Sequence, residues 1–290
     1  MKSLQELAFK LLSEGTVKVV IGYEEGPRGV RPAFITDPAQ TSKLIFDRRC
    51  TQNLATYLNP RRKHITALGK AAVVVKGCDA RAVAGLIREQ QITRDSLVII
   101  AVRCGGVLED PTSTAELTAD TTSPRCGQCE VREPKLFDHL VGELPPAPPV
   151  NPRRSEQIAA IEKMTAADRM DYWNQHLDRC IRCHACREAC PMCFCVECRA
   201  ERALPQWVDP SPTSRANRAW TMMRVMHQAG RCVDCMECER ACPEHIPLGL
   251  LARYVADSVE QRYGYKATED PGVPAPLGVF RTDDGEEFIR

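Results

Sequence analysis

AAVVVKGCDARAVAGLIREQQITRDSLVIIAVR, residues 71–103, decides how the first half of this chain folds. Ala71–Lys76 is a short apolar run rich in β-branched residues, and Leu97–Arg103 is a second. The segment between them, ARAVAGLIREQQ (80–91), carries Ala82, Val83, Leu86 and Ile87 at helical spacing. Two buried strands joined by a helical crossover make a βαβ unit with parallel strands. Asp79 stands where an N-cap is needed, and Thr93–Asp95 break the helix before the second strand. Outward from this unit, Thr16–Tyr23 (TVKVVIGY) reads as a strand, Arg31–Ile35 as a weaker one, and Asn53–Leu58 as a helical turn. Residues 1–144 are therefore expected to form an α/β domain with parallel strands.

PPAPPVNP (145–152) is proline-dense and reads as a semi-rigid linker. Ser155–Gln175 reads as a helix, so residues 145–175 join the α/β domain to a cysteine-rich second domain. Residues 176–260 hold eleven of the sixteen cysteines, and residues 261–290 look like a polar arm. The net charge of +1 gives no field for nucleic acid or an anionic membrane. MKSLQELAFKLLSEG (1–15) spreads charge through a short amphipathic helix and lacks the apolar core of a secretion signal. No run approaches the roughly 20 apolar residues that cross a bilayer. A cytoplasmic protein with reduced, metal-binding thiols is expected.

Two segments repeat one pattern. CIRCHACREACP carries Cys180, Cys183, Cys186 and Cys190; CVDCMECERACP carries Cys232, Cys235, Cys238 and Cys242. Both read C-x2-C-x2-C-x3-C-P, in which three thiolates wrap one 4Fe–4S cubane and the fourth ligates the other. Cluster one is thus assigned to Cys180, Cys183, Cys186 and Cys242, and cluster two to Cys232, Cys235, Cys238 and Cys190. Zinc sites use two separated C-x2-C pairs instead. Arg182, Arg187, Arg199, Arg231 and Arg240 lie beside these ligands in sequence and would raise their potentials or remain solvated surface charge. Trp220, Met223, Val225 and Met226 make a helical stripe assigned to core packing.

This module resembles the dicluster, cluster-carrying subunits of heterodisulfide reductases and succinate dehydrogenases. The resemblance rests on Gly230-Arg231 before the second cysteine run and Ile246-Pro247-Leu248 after it. It implies a mainly α-helical ferredoxin-type domain and an electron-relay role.

The N-terminal half has its own cysteines. Cys78 and Cys104 each follow a strand of the βαβ unit, so both thiols emerge at the carboxyl edge of the sheet, where open α/β sheets place ligands. Cys126 and Cys129 add a C-x2-C pair on a loop. These four are read as a third cluster, against the alternatives that Cys78 and Cys104 are small buried hydrophobes while Cys126 and Cys129 bind nothing, or that the four hold zinc. Cys193, Cys195 and Cys198 remain. They either begin a fourth site, with Cys50 as its fourth ligand, or are free thiols packed around cluster one. His184 and His245 are read as contacting solvent or backbone.

Gly77-Cys78-Asp79 after a strand, Cys104 at the next strand end, and Cys126-x2-Cys129 together resemble the beta subunits of deazaflavin-reducing hydrogenases and related formate dehydrogenases. That resemblance covers roughly residues 70–140 and implies a cluster at these cysteines and an FAD-bearing oxidoreductase family. No Gly-x-Gly-x-x-Gly fingerprint accompanies it. The chain is expected to be an iron–sulfur relay subunit of a cytoplasmic, multi-subunit oxidoreductase in anaerobic metabolism. Its expected partners are flavoprotein, heterodisulfide-reductase-like, formate dehydrogenase or hydrogenase subunits, and ferredoxin. The alternatives are an FAD enzyme exchanging hydride with a deazaflavin or NAD(P)H, and a zinc-binding module.

Overall fold

The computed structural model describes residues 2–280 and residue 282. Helix α1 (Lys2–Ser13) leads into one sheet. Strand β1 (Val19–Gly26) turns at Pro27–Arg28 into β2 (Gly29–Ile35), and the hairpin is antiparallel. The short β3 (Leu44–Ile45) also pairs antiparallel with β1. After a one-turn helix, α2 (Lys63–Thr66), comes the expected crossover: β4 (Ala71–Val75), α3 (Gly77–Arg88) and β5 (Leu97–Val102). β4 lies parallel to both β1 and β5, and β6 (His139–Val141) adds a parallel edge to β5. The path across the sheet is β2-β1-β4-β5-β6. The central strands β4 and β5 are apolar throughout because both faces are covered, and every residue of β5 is buried.

Two local expectations are corrected. Lys76, not Asp79, is the N-cap of α3. Asp79 sits at the third helical position and its carboxylate accepts from the Lys76 backbone N–H at 3.2 Å. The single helix expected over Ser155–Gln175 is two, α4 (Arg153–Glu162) and α5 (Ala166–Leu177). Thr165 divides them: its hydroxyl accepts from the Asp168 N–H at 3.1 Å and starts a new helix.

The cysteine-rich half is built from short helices. They are α6 (Ala185–Ala189), α7 (Ser214–His227), α8 (Glu237–Arg240) and α9 (Leu248–Tyr263). The buried face of α7 holds Trp220 and Val225, whereas Met226 points to solvent at 55% exposure. Met192, Val233 and Cys235 join the core that covers the sheet, so the two halves share apolar packing. The proline-rich segment lies along the carboxyl edge of the sheet. Asn151 is buried there, and donates to the Thr122 carbonyl at 2.9 Å. The expected arm folds back on α3: Arg88 donates to the Tyr265 hydroxyl at 3.0 Å. Residue 281 and residues 283–290 of that arm lie outside the described residues.

Candidate functional site

At the carboxyl edge of β4 and β5, one cavity is lined by Cys78, Cys104, Cys126 and Cys129. Cys78 sits in the first turn of α3, and Cys104 lies just beyond β5. The loop carrying Cys126 and Cys129 crosses above Gly77, where an added Cβ would collide with the Val131 carbonyl oxygen. Only glycine lets that loop approach so closely. Backbone N–H groups point at the sulfurs: Gly106 donates to Cys104 and Val107 to Cys126, both at 3.4 Å. Burial pushes the Cys78 and Cys129 thiols up and the Cys104 thiol up to about 11. Thiols so placed ionise readily only with a cation among them, which suits a soft metal donor set.

Beside this cavity runs a buried polar network. Lys76 Nζ donates to Asp79 Oδ2 at 2.9 Å, to the Tyr23 hydroxyl at 2.7 Å and to the Gln52 carbonyl at 2.5 Å. Burial works against the Lys76 charge, but Asp79 and Tyr23 outweigh it and hold the ammonium protonated well above its usual range. The network fixes the β4–α3 turn from which Cys78 projects.

Two further cavities lie in the second half. Cys190, Cys232, Cys235 and Cys238 line one; Cys180, Cys183, Cys186 and Cys242 line the other. Each run of three thus meets the fourth cysteine of the other run. The two turns have the same shape. Arg182 and His184 in the first, and Asp234 and Met236 in the second, adopt positive φ of 58°, 61°, 59° and 55°. This conformation turns N–H groups inward: Arg182 N–H reaches the Cys180 sulfur, and Asp234 and Glu237 N–H reach those of Cys232 and Cys235. Burial raises the Cys186 thiol to about 11 and that of Cys232 to about 12. Cys190 is the exception. The Cys193 thiol donates to it, and with the Arg224 charge and the Met192 and Cys193 N–H groups outweighs burial and lowers it to about 6.

All sixteen cysteines are free of disulfides. Among the described residues no three His, Cys, Asp or Glu side chains close on a single-ion site. A tetrahedral zinc–thiolate centre would hold its sulfurs about 3.8 Å apart. Each quartet rings a cavity, a soft donor set that fits a polynuclear cluster.

No protein-family model matches the chain. The F420-dependent formate dehydrogenase subunit beta of Methanocaldococcus jannaschii is 30% identical over 115 residues, 39% of this chain and 29% of the relative's length. The F420-dependent formate dehydrogenase 1 subunit beta of Methanococcus maripaludis is 22% identical over 92% of this chain and 90% of its own length. The chain resembles formate dehydrogenase beta subunits.

Against that likeness, the remaining sequence-predicted residues divide. Cys50 is sealed in the core of the sheet, and burial raises its thiol to about 12. Cys193 lies next to Cys190, accepting from Gln228 Nε2 at 3.3 Å, while Cys195 is exposed and Cys198 packs on the second apolar cluster. Cys50, Cys193, Cys195 and Cys198 do not line a common cavity among those described. His184 pairs with a side chain rather than resting on solvent or backbone: Nδ1 lies 2.7 Å from Glu201 Oε1, and its ring stacks near Trp220. Of the arginines beside the motifs, Arg231 pairs with Glu89 at 2.6 Å and Arg240 with Glu237 at 2.5 Å, while Arg199 is exposed. Arg182 does reach a thiol cavity, that of Cys180, Cys183, Cys186 and Cys242, and two arginines not singled out from the sequence, Arg125 and Arg224, line the other two cavities of this beta-subunit-like chain. Their burial depends on contacts distant in sequence; Arg125 adjoins Cys126, but nothing in the local pattern marks Arg224.

Proposed function

We propose that this chain is the iron–sulfur relay subunit of a formate dehydrogenase-like oxidoreductase complex in the cytoplasm. Three 4Fe–4S clusters would be held by Cys78, Cys104, Cys126 and Cys129; by Cys190, Cys232, Cys235 and Cys238; and by Cys180, Cys183, Cys186 and Cys242. Bound there, each cluster supplies one-electron transfer. The observation that carries the reading is the order of the cavities. Val233 and Asp234 line both the N-terminal cavity and the Cys232 cavity, and the Cys190–Cys242 exchange ties the latter to the Cys180 cavity. The chain's own residues exclude water, direct N–H groups at sulfur and set potentials with buried charge. The ends of such a relay would face a formate-oxidising, hydrogenase or heterodisulfide-reductase-like flavoprotein subunit, or ferredoxin. Among the described residues no helix is long and apolar enough to cross a membrane. Anaerobic purification followed by metal and sulfide analysis tests this: about twelve iron and twelve acid-labile sulfide per chain are expected, four of each per cluster. Colourless protein without sulfide would sink it.

One observation favours the alternative FAD reading. A groove of about 630 Å³ opens at the ends of β5 and β6 and includes Phe46, Arg48 and Arg103. It shares Gly106 and Pro148 with the N-terminal thiol cavity. Its size suits a flavin ring system placed to exchange electrons with that quartet. A flavin absorbance band released by denaturing the purified chain would support it; flavin-free protein with full iron content would leave the simple relay.

A further inference from the structure

Two buried arginines stand between the thiol cavities. Arg125 is 8% exposed and Arg224 is 6% exposed. Arg125 lines the N-terminal cavity, and it donates to the carbonyl of Cys235 in the neighbouring cavity and to that of Thr51 at 2.6 Å. Arg224, on α7, lines the Cys232 cavity and donates at 2.9 Å to the carbonyl of Cys186, which lines the Cys180 cavity. Each guanidinium therefore stands in the wall of one cavity and holds the backbone of a cysteine in the next. Their surroundings differ. Arg125 faces Glu237 at 3.5 Å, which is also paired with Arg240 at 2.5 Å, and Lys76 lies in the same cavity wall. Arg224 has no carboxylate within 4.0 Å among the described ion pairs, and its buried Nε lacks an acceptor. A lone buried cation costs several kcal/mol unless an anion lies close. The anions its position offers are the cysteine sulfurs around it.

Building on the relay reading, we propose that Arg125 and Arg224 are positioning residues, each a fixed positive charge shared by two neighbouring clusters that eases their reduction and clamps their separation. A reduced cluster carries one more negative charge, so a fixed cation beside it favours the reduced state. The guanidinium stays protonated in both states, so the electron moves with no bond made or broken and no proton transferred.

The test uses full-length holoprotein purified without oxygen, with iron and sulfide counted and each cluster's midpoint potential measured by EPR-monitored titration. Signals are assigned from single Cys→Ser ligand variants. Arg125→Met is expected to shift the N-terminal and Cys232-quartet potentials negative and leave the Cys180 quartet alone. Arg224→Met is expected to lower the Cys232 and Cys180 quartets and leave the N-terminal one. Arg125→Lys and Arg224→Lys, which keep the charge, are expected to stay close to wild type. If a methionine variant loses iron, the glutamine variant, which keeps an N–H donor and drops the charge, is titrated in its place. Unmoved potentials in loaded charge-removing variants, or equal shifts for lysine and methionine, would overturn the proposal. Wild-type protein that binds no iron would instead defeat the relay reading before any variant is compared.

Discussion

Cys242 belongs to the second cysteine run, yet it lines the cavity of the first. Replacing it with serine is expected to remove about four iron per chain and the EPR signal of the Cys180 quartet, while the Cys232 quartet persists. Loss confined to the Cys232 signal would refute the exchange of fourth ligands. The thiols also predict how metal-free protein responds to alkali. Burial raises Cys104 and Cys186 to about 11 and Cys232 to about 12, against an ordinary thiol value of 9.0. For groups raised on folding, stability is fully present below the unfolded value and is lost as pH climbs through the folded one. The apoprotein is thus expected to lose on the order of a few kcal/mol between about pH 9 and 12. Loaded protein, its thiolates already fixed by metal, is expected to show a much shallower loss. Urea midpoints of both forms across that window check this, and parallel curves would contradict it.

The β4–α3 turn shows how one element brings four distant thiols together. Gly77→Ala would drive a methyl into the Val131 carbonyl and lift the Cys126–Cys129 loop off the helix. Overpacking of this kind costs about 1–3 kcal/mol, and the N-terminal cluster should be lost first. Iron analysis finding all clusters retained in Gly77→Ala would count against that loop as a ligand carrier. At this scale much of the fold is legible, because the βαβ pattern writes strand burial and helix stripe into consecutive residues. The two x2-x2-x3 runs are legible for the same reason: each thiol is fixed by a neighbour only a few positions away. The division at Thr165 is not, since one capping hydrogen bond worth about 1 kcal/mol leaves no mark on the surrounding helical pattern. Arg125 and Arg224 escape notice because arginine is ordinarily a surface residue. Only the distant carbonyls of Cys235 and Cys186 reveal why these two are buried. Cys50 misleads in the opposite direction, being a core residue that the cysteine count invites into a metal site.

Across the whole molecule, apolar burial is distributed unequally. The core over the sheet runs from α1 to β6, while the second cluster consists of seven buried residues, Cys186 among them. Each fully buried large side chain contributes about 1.5–3 kcal/mol, so the second cluster supplies far less apolar stabilisation than the core over the sheet. On the relay reading, cluster ligation at Cys180–Cys190 and Cys232–Cys242 would add cross-links to this half. Anaerobic removal of iron by a chelator is therefore expected to abolish amide hydrogen-exchange protection over residues 178–247 while β1, β4 and β5 stay protected. Met192, Val233 and Cys235 complicate the boundary, because they pack in the sheet's core; Met192 meets α3 at Gly85. Their release should loosen the face of α3 that Met192 covers without opening the strands beneath it. Simultaneous loss of protection in both halves would mean that the shared core, rather than metal, unifies the chain. Undiminished protection over 178–247 would mean that the short helices hold without their clusters.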